Sequence, residues 1–167
     1  AGIEPPECMS GNGLIDVLES PESGQVDPER TFVVTGRERH VATAREGNLP
    51  YPQRAVRTRD FLYIRNFSPD RWPMGDPKGL DDPTAEPPSY EDLCWNTRIC
   101  YADLDASPTK AWMVHHRGEE RVRDLFEMGF GKFPAEELYD LREDPHYMNN
   151  VIAQPEYEGA RAELSQK

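Results

Sequence analysis

The amino-acid sequence predicts an α+β fold, in which a few β-strands combine with short helices and long irregular loops. Short runs of β-branched and aromatic residues between Thr31 and Phe67 indicate strands. Residues that start and stop helices follow after Ser107. Sixteen prolines and twelve glycines indicate long loops between these elements. The length of 167 residues favours a single domain.

The first part of the chain supplies one short helix and three of the predicted strands. The apolar run at residues 11–20 predicts the helix, and residues 31–35 predict the first strand, which Gly36 is expected to end. Residues 54–59 and 62–67 predict a β-hairpin. Alternation along the hairpin indicates a half-buried antiparallel pair with arginines at its exposed edge.

A loop region rich in proline and acidic residues, 68–106, follows the hairpin, and its first part, residues 68–88, predicts a long surface loop. Six prolines lie between residues 68 and 88, so no regular element is expected there. Residues 93–101 allow a turn of helix within this region. Ser107 and Pro108 then predict a helix start, with serine at the N-cap and proline at the first helical position.

The last third of the chain predicts two helices and a strand. Val122, Leu125 and Phe126 lie at one-face helical spacing, and the nearby glycines at 129 and 131 are expected to stop that helix. Residues 137–141 (ELYDL) predict a short strand. Residues 155–167 predict a final helix, because their apolar positions form one stripe.

Arginines reverse the local charge within the strand-rich stretch. From Arg37 to Arg71 there are eight arginines, no lysine and four acids, in a chain of formal net charge −12. The planar, permanently charged guanidinium suits sulfate, phosphate or carboxylate. We therefore interpret the stretch as one wall of an anion-recognising site. The acidic remainder argues against nucleic-acid binding, and no apolar run in the sequence approaches the length of a membrane span.

The candidate site residues cluster around the loop that follows the first predicted strand. They are Arg37, Glu38, Arg39 and His40, with Tyr51 and Arg54 beyond the loop. Arginine forks and a histidine donor suit a sulfate or a sugar hydroxyl, and Tyr51 would stack on a ring. The alternative is a solvated strand edge, in which the arginines pair with Glu38, Glu46 and Asp60.

Three weaker candidates have ordinary interpretations that the sequence favours. Asp103, Asp105, His115 and His116 carry metal-ligand atoms, but adjacent histidines on a helix point about 100° apart, so surface polar residues are the preferred interpretation. Cys94 begins a Cys-Trp-Asn-Thr-Arg segment with no base beside it. The acidic run at residues 136–144 is interpreted as a surface strand and turn. Cys94 and Cys100 either form a disulfide or remain thiols, as does Cys8.

Two long segments carry a resemblance to a known family. The segment TGRERHVATAREGNLPYPQRAVRTRDFLYIRNF followed by SPDRWPMGDP, and the later segment FGKFPAEELYDLREDPHYMNNVI, stand in the family's order. Together they resemble the C-terminal subdomain of bacterial formylglycine-dependent sulfatases, most closely the N-sulfoglucosamine sulfohydrolase-like group. The resemblance covers nearly the whole chain. It implies a small antiparallel sheet of about four strands packed against helices, including the C-terminal one.

The resemblance also implies which parts of a sulfatase this chain would lack. The nucleophile motif Cys/Ser-x-Pro-x-Arg, whose first residue becomes formylglycine, does not occur in the sequence. The resemblance therefore implies no catalytic residue and no metal ligand in this chain. Formylglycine and calcium would belong to a large α/β domain upstream in the same parent chain. The resemblance implies that this domain is the partner of residues 1–167. The expected role here is substrate binding by His40 and Arg54 first, with Arg39, Glu38, Tyr51 and Arg37.

The implied activity is hydrolysis of sulfate esters or sulfamates on a glycan, in a periplasmic or secreted enzyme. The isolated chain is expected to be inactive and to self-associate through an exposed interdomain face. The alternative is a stand-alone module that binds sulfated or acidic glycans without catalysis.

Overall fold

The computed structural model describes residues 6–9, 11 and 13–167. It divides into two compact units, Ala1–Thr31 and Phe32–Lys167. In the first unit, helix α1 spans Ile15–Glu19. This helix lies inside the predicted segment 11–20, of which Asn12 falls outside the described residues.

The second unit contains one four-stranded antiparallel sheet, and the predicted α+β class is confirmed. The strands run in the order β1-β2-β3-β4. They are β1 (Phe32–Arg37), β2 (Gln53–Thr58), β3 (Phe61–Asn66) and β4 (Glu136–Asp140). Each strand pairs antiparallel with its neighbour.

The prediction that Gly36 ends the first strand is wrong, because β1 continues through it. Gly36 pairs with Arg54 across the ladder. A Cβ atom built on Gly36 would lie 2.9 Å from Cδ of Arg54. The missing side chain therefore leaves room for Arg54 to lie against the β1 backbone. Glycine acts here as a point of close approach rather than as a strand terminator.

The predicted hairpin between β2 and β3 is confirmed, and a threonine holds its turn. Oγ1 of Thr58 accepts hydrogen bonds from the backbone N–H of Phe61 at 3.0 Å and of Asp60 at 3.3 Å. These bonds satisfy two donors that the tight turn would otherwise leave without a partner.

Four helices complete the second unit. They are α2 (Tyr90–Trp95), α3 (Pro108–His115), α4 (Glu120–Phe130) and α5 (Glu158–Leu164). Oγ of Ser107 accepts from the backbone N–H of Lys110, as the predicted cap requires. Helix α2 begins at Tyr90, earlier than the turn predicted for residues 93–101, because Ser89 caps it. Gly129 lies inside α4, and only Gly131 ends that helix.

Two hydrophobic cores support the unit. The first joins the sheet to the C-terminal segment through Val56, Tyr63, Leu138, Val151 and Leu164. The second fills the helical and loop region with Leu80, Leu93, Cys100, Tyr101, Ala111, Val114, Phe126 and Phe130. Trp72 packs against the second core, whereas Trp95 is 82% exposed.

The acidic strand β4 is less exposed than its composition indicates. Glu137 and Asp140 are buried, which corrects the expectation of a surface strand, whereas Arg142 and Glu143 of the turn that follows are exposed, as predicted. Glu137 accepts hydrogen bonds from Asn66 and from the Tyr139 hydroxyl, each at 2.7 Å. Asp140 is paired with Arg142, whose guanidinium holds the pKa of the Asp140 carboxyl at about 2. No helix of the described residues has the length and apolar character needed to cross a membrane.

Candidate anion-recognition site

The loop between β1 and β2 closes on itself at the edge of the sheet. The backbone N–H of Tyr51 donates to the carbonyl of Glu38 at 2.8 Å. This bond lies just beyond the β1–β2 ladder, whose last pair is Arg37 with Gln53. The loop carrying Arg39, His40 and Arg45 is therefore anchored at its base, where β1 ends and β2 begins.

Two guanidinium groups lie near the Tyr51 ring. Cζ of Arg37 lies 5.7 Å from the Tyr51 ring centroid, and Cζ of Arg45 lies 5.6 Å from it. The ring is 1% exposed. Burial is the main reason why the pKa of the Tyr51 hydroxyl rises to about 12. The expectation that Tyr51 stacks on a sugar ring is therefore corrected, since the ring is buried and offers no exposed face, and we interpret its role as support.

Arg45 forms a buried ion pair with Asp103. Its Nη2 lies 2.6 Å from Oδ2 of Asp103, and Arg45 is 4% exposed. Nε of Arg45 also donates to the carbonyl of Trp72 at 2.7 Å, and Nη2 donates to that of Pro73 at 2.7 Å. Nη2 of Arg37 donates to the same Pro73 carbonyl at 3.1 Å. Arg37 at the end of β1 and Arg45 of the loop are thus both fixed to the proline-rich region at Trp72 and Pro73.

Asp103 is the anion around which the loop is ordered. Its Oδ1 accepts from the backbone N–H of Val41 at 2.9 Å, while Oδ2 faces Arg45. Asp103 is buried, so its interpretation as a surface residue is wrong. Sequence reasoning also omitted Arg45 from the site. The available signal was the apolar neighbourhood of Asp103, in the segment Cys-Tyr-Ala-Asp-Leu, which is unusual for a solvated acid.

His40 stands at the outer side of this arrangement. Its side chain is 56% exposed, and its Nδ1 lies 3.3 Å from the carbonyl oxygen of Asp103. A carbonyl only accepts, so this contact requires a proton on Nδ1. Within the described residues, Nε2 of His40 has no hydrogen-bond partner. The backbone of Asp103 thereby orients a ring whose second nitrogen remains available for a ligand.

Glu38 and Arg54 form an exposed ion pair on the other side of the loop. Nη1 of Arg54 also donates to the carbonyl of Gln53 at 2.8 Å. Of the three acids in the solvated-edge interpretation, Glu38 thus does pair with an arginine. Arg39 is exposed, and it makes no hydrogen bond or ion pair within the described part of the chain. The structure therefore gives Arg39 and His40 the most available polar groups.

Two buried polar atoms at the centre of the site lack a partner. They are Oη of Tyr51 and Nη1 of Arg45, counted against the described residues. Each keeps a donor unused in surroundings where an unmade hydrogen bond costs about 1–3 kcal/mol. The frame is therefore rigid and cationic, with unused donors inside and with Arg39 and His40 outside.

The weaker sequence candidates do not assemble into a site. Over the described residues, no group of three or more His, Cys, Asp or Glu side chains is arranged to hold a metal ion. Nε2 of His115 lies 3.1 Å from the carbonyl of Pro88, and His116 stacks on Trp112. Cys8, Cys94 and Cys100 are all thiols in the structure. Burial raises the pKa of the Cys100 thiol, which lowers its reactivity.

No protein-family model matches the chain, and no curated protein matches it.

Proposed function

We propose that this chain contributes a substrate-binding wall to a sulfatase that hydrolyses sulfate esters or sulfamates on a glycan. The observation that carries the proposal is the buried frame of Arg37, Arg45, Tyr51 and Asp103, of which only Arg37 is half-buried. This frame orients an exposed histidine and holds the loop of an exposed arginine. Such an arrangement suits recognition of a sulfated sugar, because the loop that carries the exposed groups is anchored before a ligand arrives.

The fold supports the same proposal. The sulfatase resemblance implies about four antiparallel strands with a C-terminal helix, and the sheet and α5 agree with that expectation. In this proposal the formylglycine nucleophile and calcium belong to an α/β domain joined to this chain. Calcium would there polarise the sulfate oxygens. The enzyme is proposed to be periplasmic or secreted.

The proposed roles differ among the six candidate residues. Nε2 of His40 and the guanidinium of Arg39 contact the substrate's hydroxyl or acidic groups. Arg54 contributes one face of its guanidinium while Glu38 holds it in place. Arg37 acts as support, because its guanidinium already bonds to the Pro73 carbonyl. Tyr51 acts as support as well, because its ring already contacts the guanidiniums of Arg37 and Arg45.

Exposed apolar side chains support the need for a partner domain. Phe32, Val33 and Val34 of the edge strand β1 are all exposed. An apolar edge strand is a site where another chain or domain pairs. We expect the isolated chain to self-associate, which sedimentation measures. A monodisperse monomer at high concentration would contradict the proposal that this chain needs a partner domain.

A titration of the isolated chain with an N-sulfated disaccharide tests the binding role. We expect NMR shifts in the His40 ring and weaker binding in Arg39→Ala and His40→Ala. Arg59→Ala is the matched control, since Arg59 is exposed at the hairpin turn and changes the net charge equally. Equal loss in Arg39→Ala and Arg59→Ala would indicate unspecific charge attraction and would contradict the proposed site.

A stand-alone glycan-binding module is the second candidate, because every member of the buried frame comes from this one chain. An assay of the isolated chain with aryl sulfates and sulfated disaccharides bears on both candidates. Both predict no sulfate release. Turnover by the isolated chain would contradict the assignment of the nucleophile to a separate domain.

A further inference from the structure

A cavity in the helical half of the second unit forms a second candidate binding site. Its volume is about 420 Å³, within the range of small-molecule pockets. Trp72, Tyr101 and Phe126 contribute aromatic side chains to its wall. Tyr101 packs edge to face against both other rings, at 6.2 Å from Trp72 and 6.1 Å from Phe126. Such a wall favours a planar apolar group.

Two arginines line the same cavity without a carboxylate partner. Within the described residues, neither Arg117 nor Arg123 forms an ion pair. The guanidinium of Arg117 is held by the carbonyls of Val114 and Ala85, and its Nε meets no acceptor in that part of the chain. Because carbonyls fix it without neutralising it, Arg117 presents an ordered positive charge to the cavity.

Carboxylates line the cavity as well. Asp81 and Glu127 belong to its wall, and neither is paired with a cation within the described range. The cavity therefore offers unpaired charges of both signs beside an aromatic wall. A purely anionic ligand would leave the carboxylates opposed to its own charge, whereas a zwitterion satisfies both sets.

We propose that this cavity binds a small aromatic zwitterion of the free aromatic amino acid class. The ring lies against Trp72 and Phe126, the carboxylate faces Arg117 and Arg123, and the ammonium faces Glu127. The proposal does not depend on the sulfatase assignment, since none of these side chains belongs to the six candidate residues of the loop site.

Calorimetric titration with phenylalanine and two single-charge analogues tests this site. The analogues are 3-phenylpropionate, which lacks the ammonium, and 2-phenylethylamine, which lacks the carboxylate. We expect phenylalanine to bind at least about tenfold more tightly than either analogue. Equal affinity for 3-phenylpropionate would overturn the zwitterion assignment. Absence of phenylalanine binding at about 10 mM, a very weak affinity, would overturn the site itself.

Variants locate the ligand without disturbing the fold. Arg123 and Glu127 are exposed, and neither makes a side-chain hydrogen bond within the described part of the chain. Arg123→Gln should weaken phenylalanine about tenfold and leave 2-phenylethylamine unchanged, and Glu127→Gln should leave 3-phenylpropionate unchanged. Arg121→Gln is the control, because Arg121 lies on the same helix and pairs with Glu119 outside the cavity. Unchanged phenylalanine affinity in both wall variants would overturn the assignment.

Discussion

Asp103 and Arg45 show how much of the loop site depends on one buried charge pair. Both side chains are almost completely removed from solvent. Asp103 also holds the backbone of Val41, and its own carbonyl faces the His40 ring. Removing one member of a buried ion pair leaves the other charge uncompensated, which is far more costly than losing an exposed pair.

Replacement of Asp103 by asparagine keeps the shape of the side chain and removes its charge. We expect Asp103→Asn to lower the free energy of unfolding by about 3–5 kcal/mol, because Arg45 would stay buried without a counter-charge. Urea unfolding followed by circular dichroism measures this change. Glu38→Gln is the matched control, and breaking its exposed pair with Arg54 should cost less than about 1 kcal/mol. Similar losses in both variants would contradict the structural role of Asp103.

The sequence allowed the candidate residues to be chosen but not their roles. Arg37, His40 and Arg54 were found from charge and position along the chain. Tyr51 is buried, and the pairing of Arg45 with Asp103 joins positions 58 residues apart. Local composition does not encode such a contact, so support and binding roles could be separated only in the structure.

Residues 68–88 of the proline-rich region contain no helix or strand, yet they hold the loop site through a short, well-bonded segment. The Asp76 N–H donates to the Ala44 carbonyl at 2.7 Å, and the Asp103 N–H donates to that of Met74 at 3.0 Å. Gly75 lies at the centre of this junction with φ of +95°. A Cβ atom there would lie 2.7 Å from the backbone nitrogen of Ala102.

Alanine substitutions at two glycines separate backbone strain from this close approach. Gly79 has nearly the same φ, +96°, but a Cβ atom on it would meet nothing within 4 Å. We expect Gly79→Ala to cost about 1–2 kcal/mol from strain alone. Gly75→Ala should cost about 3–5 kcal/mol, because the clash adds to the strain. Thermal and urea unfolding measure both changes, and equal costs would contradict a packed junction at Gly75.

Elements with local signals were predicted well, and those set by contacts between distant segments were not. The Ser107 cap and the hairpin depend on neighbouring residues, and both agree with the structure. The extension of β1 through Gly36 depends on where the Arg54 side chain lies. Such long-range packing overrides the usual tendency of glycine to end a strand.

Buried tyrosines give the molecule a predictable response to alkaline pH. Burial is the first cause of raised hydroxyl pKa values in Tyr51 and Tyr63, each at about 12, and also in Tyr101 and Tyr139. The hydroxyl of an unfolded tyrosine ionises near pH 10. The folded state therefore holds these protons more tightly, and their contribution is complete below about pH 10 and lost as pH rises towards 12.

The urea midpoint should accordingly fall steeply between about pH 10 and pH 12. Burial lowers the pKa of Lys110 in the folded state below its ordinary value of 10.5. The contribution of Lys110 to stability therefore grows as pH rises towards 10.5, and it opposes the effect of the tyrosines only up to about that pH. Absorbance of tyrosinate should rise together with unfolding. Tyr51→Phe removes one ionising group and should make the fall shallower. A midpoint independent of pH across this range would contradict the burial of these hydroxyls.

Across the whole molecule, the sheet and its C-terminal helix form one core, and the helices and proline-rich region form another. The loop site connects these two parts, since Arg45 of the β1–β2 loop bonds to the carbonyls of Trp72 and Pro73 and to the carboxylate of Asp103. A ligand at His40 and Arg39 would therefore meet a surface fixed by both parts of the unit, which suits a binding wall.

Sulfate release by the enzyme that joins this chain to the proposed α/β domain is the most direct test of its substrate-binding role. We predict that the double variant Arg39→Ala with His40→Ala lowers kcat/KM for a sulfated disaccharide at least about tenfold. We expect a small aryl sulfate not to reach this wall, so its hydrolysis should stay within about twofold, as should both activities of Arg59→Ala. Equal loss on both substrates, no loss on the disaccharide, or no sulfate release by the intact enzyme would contradict the account.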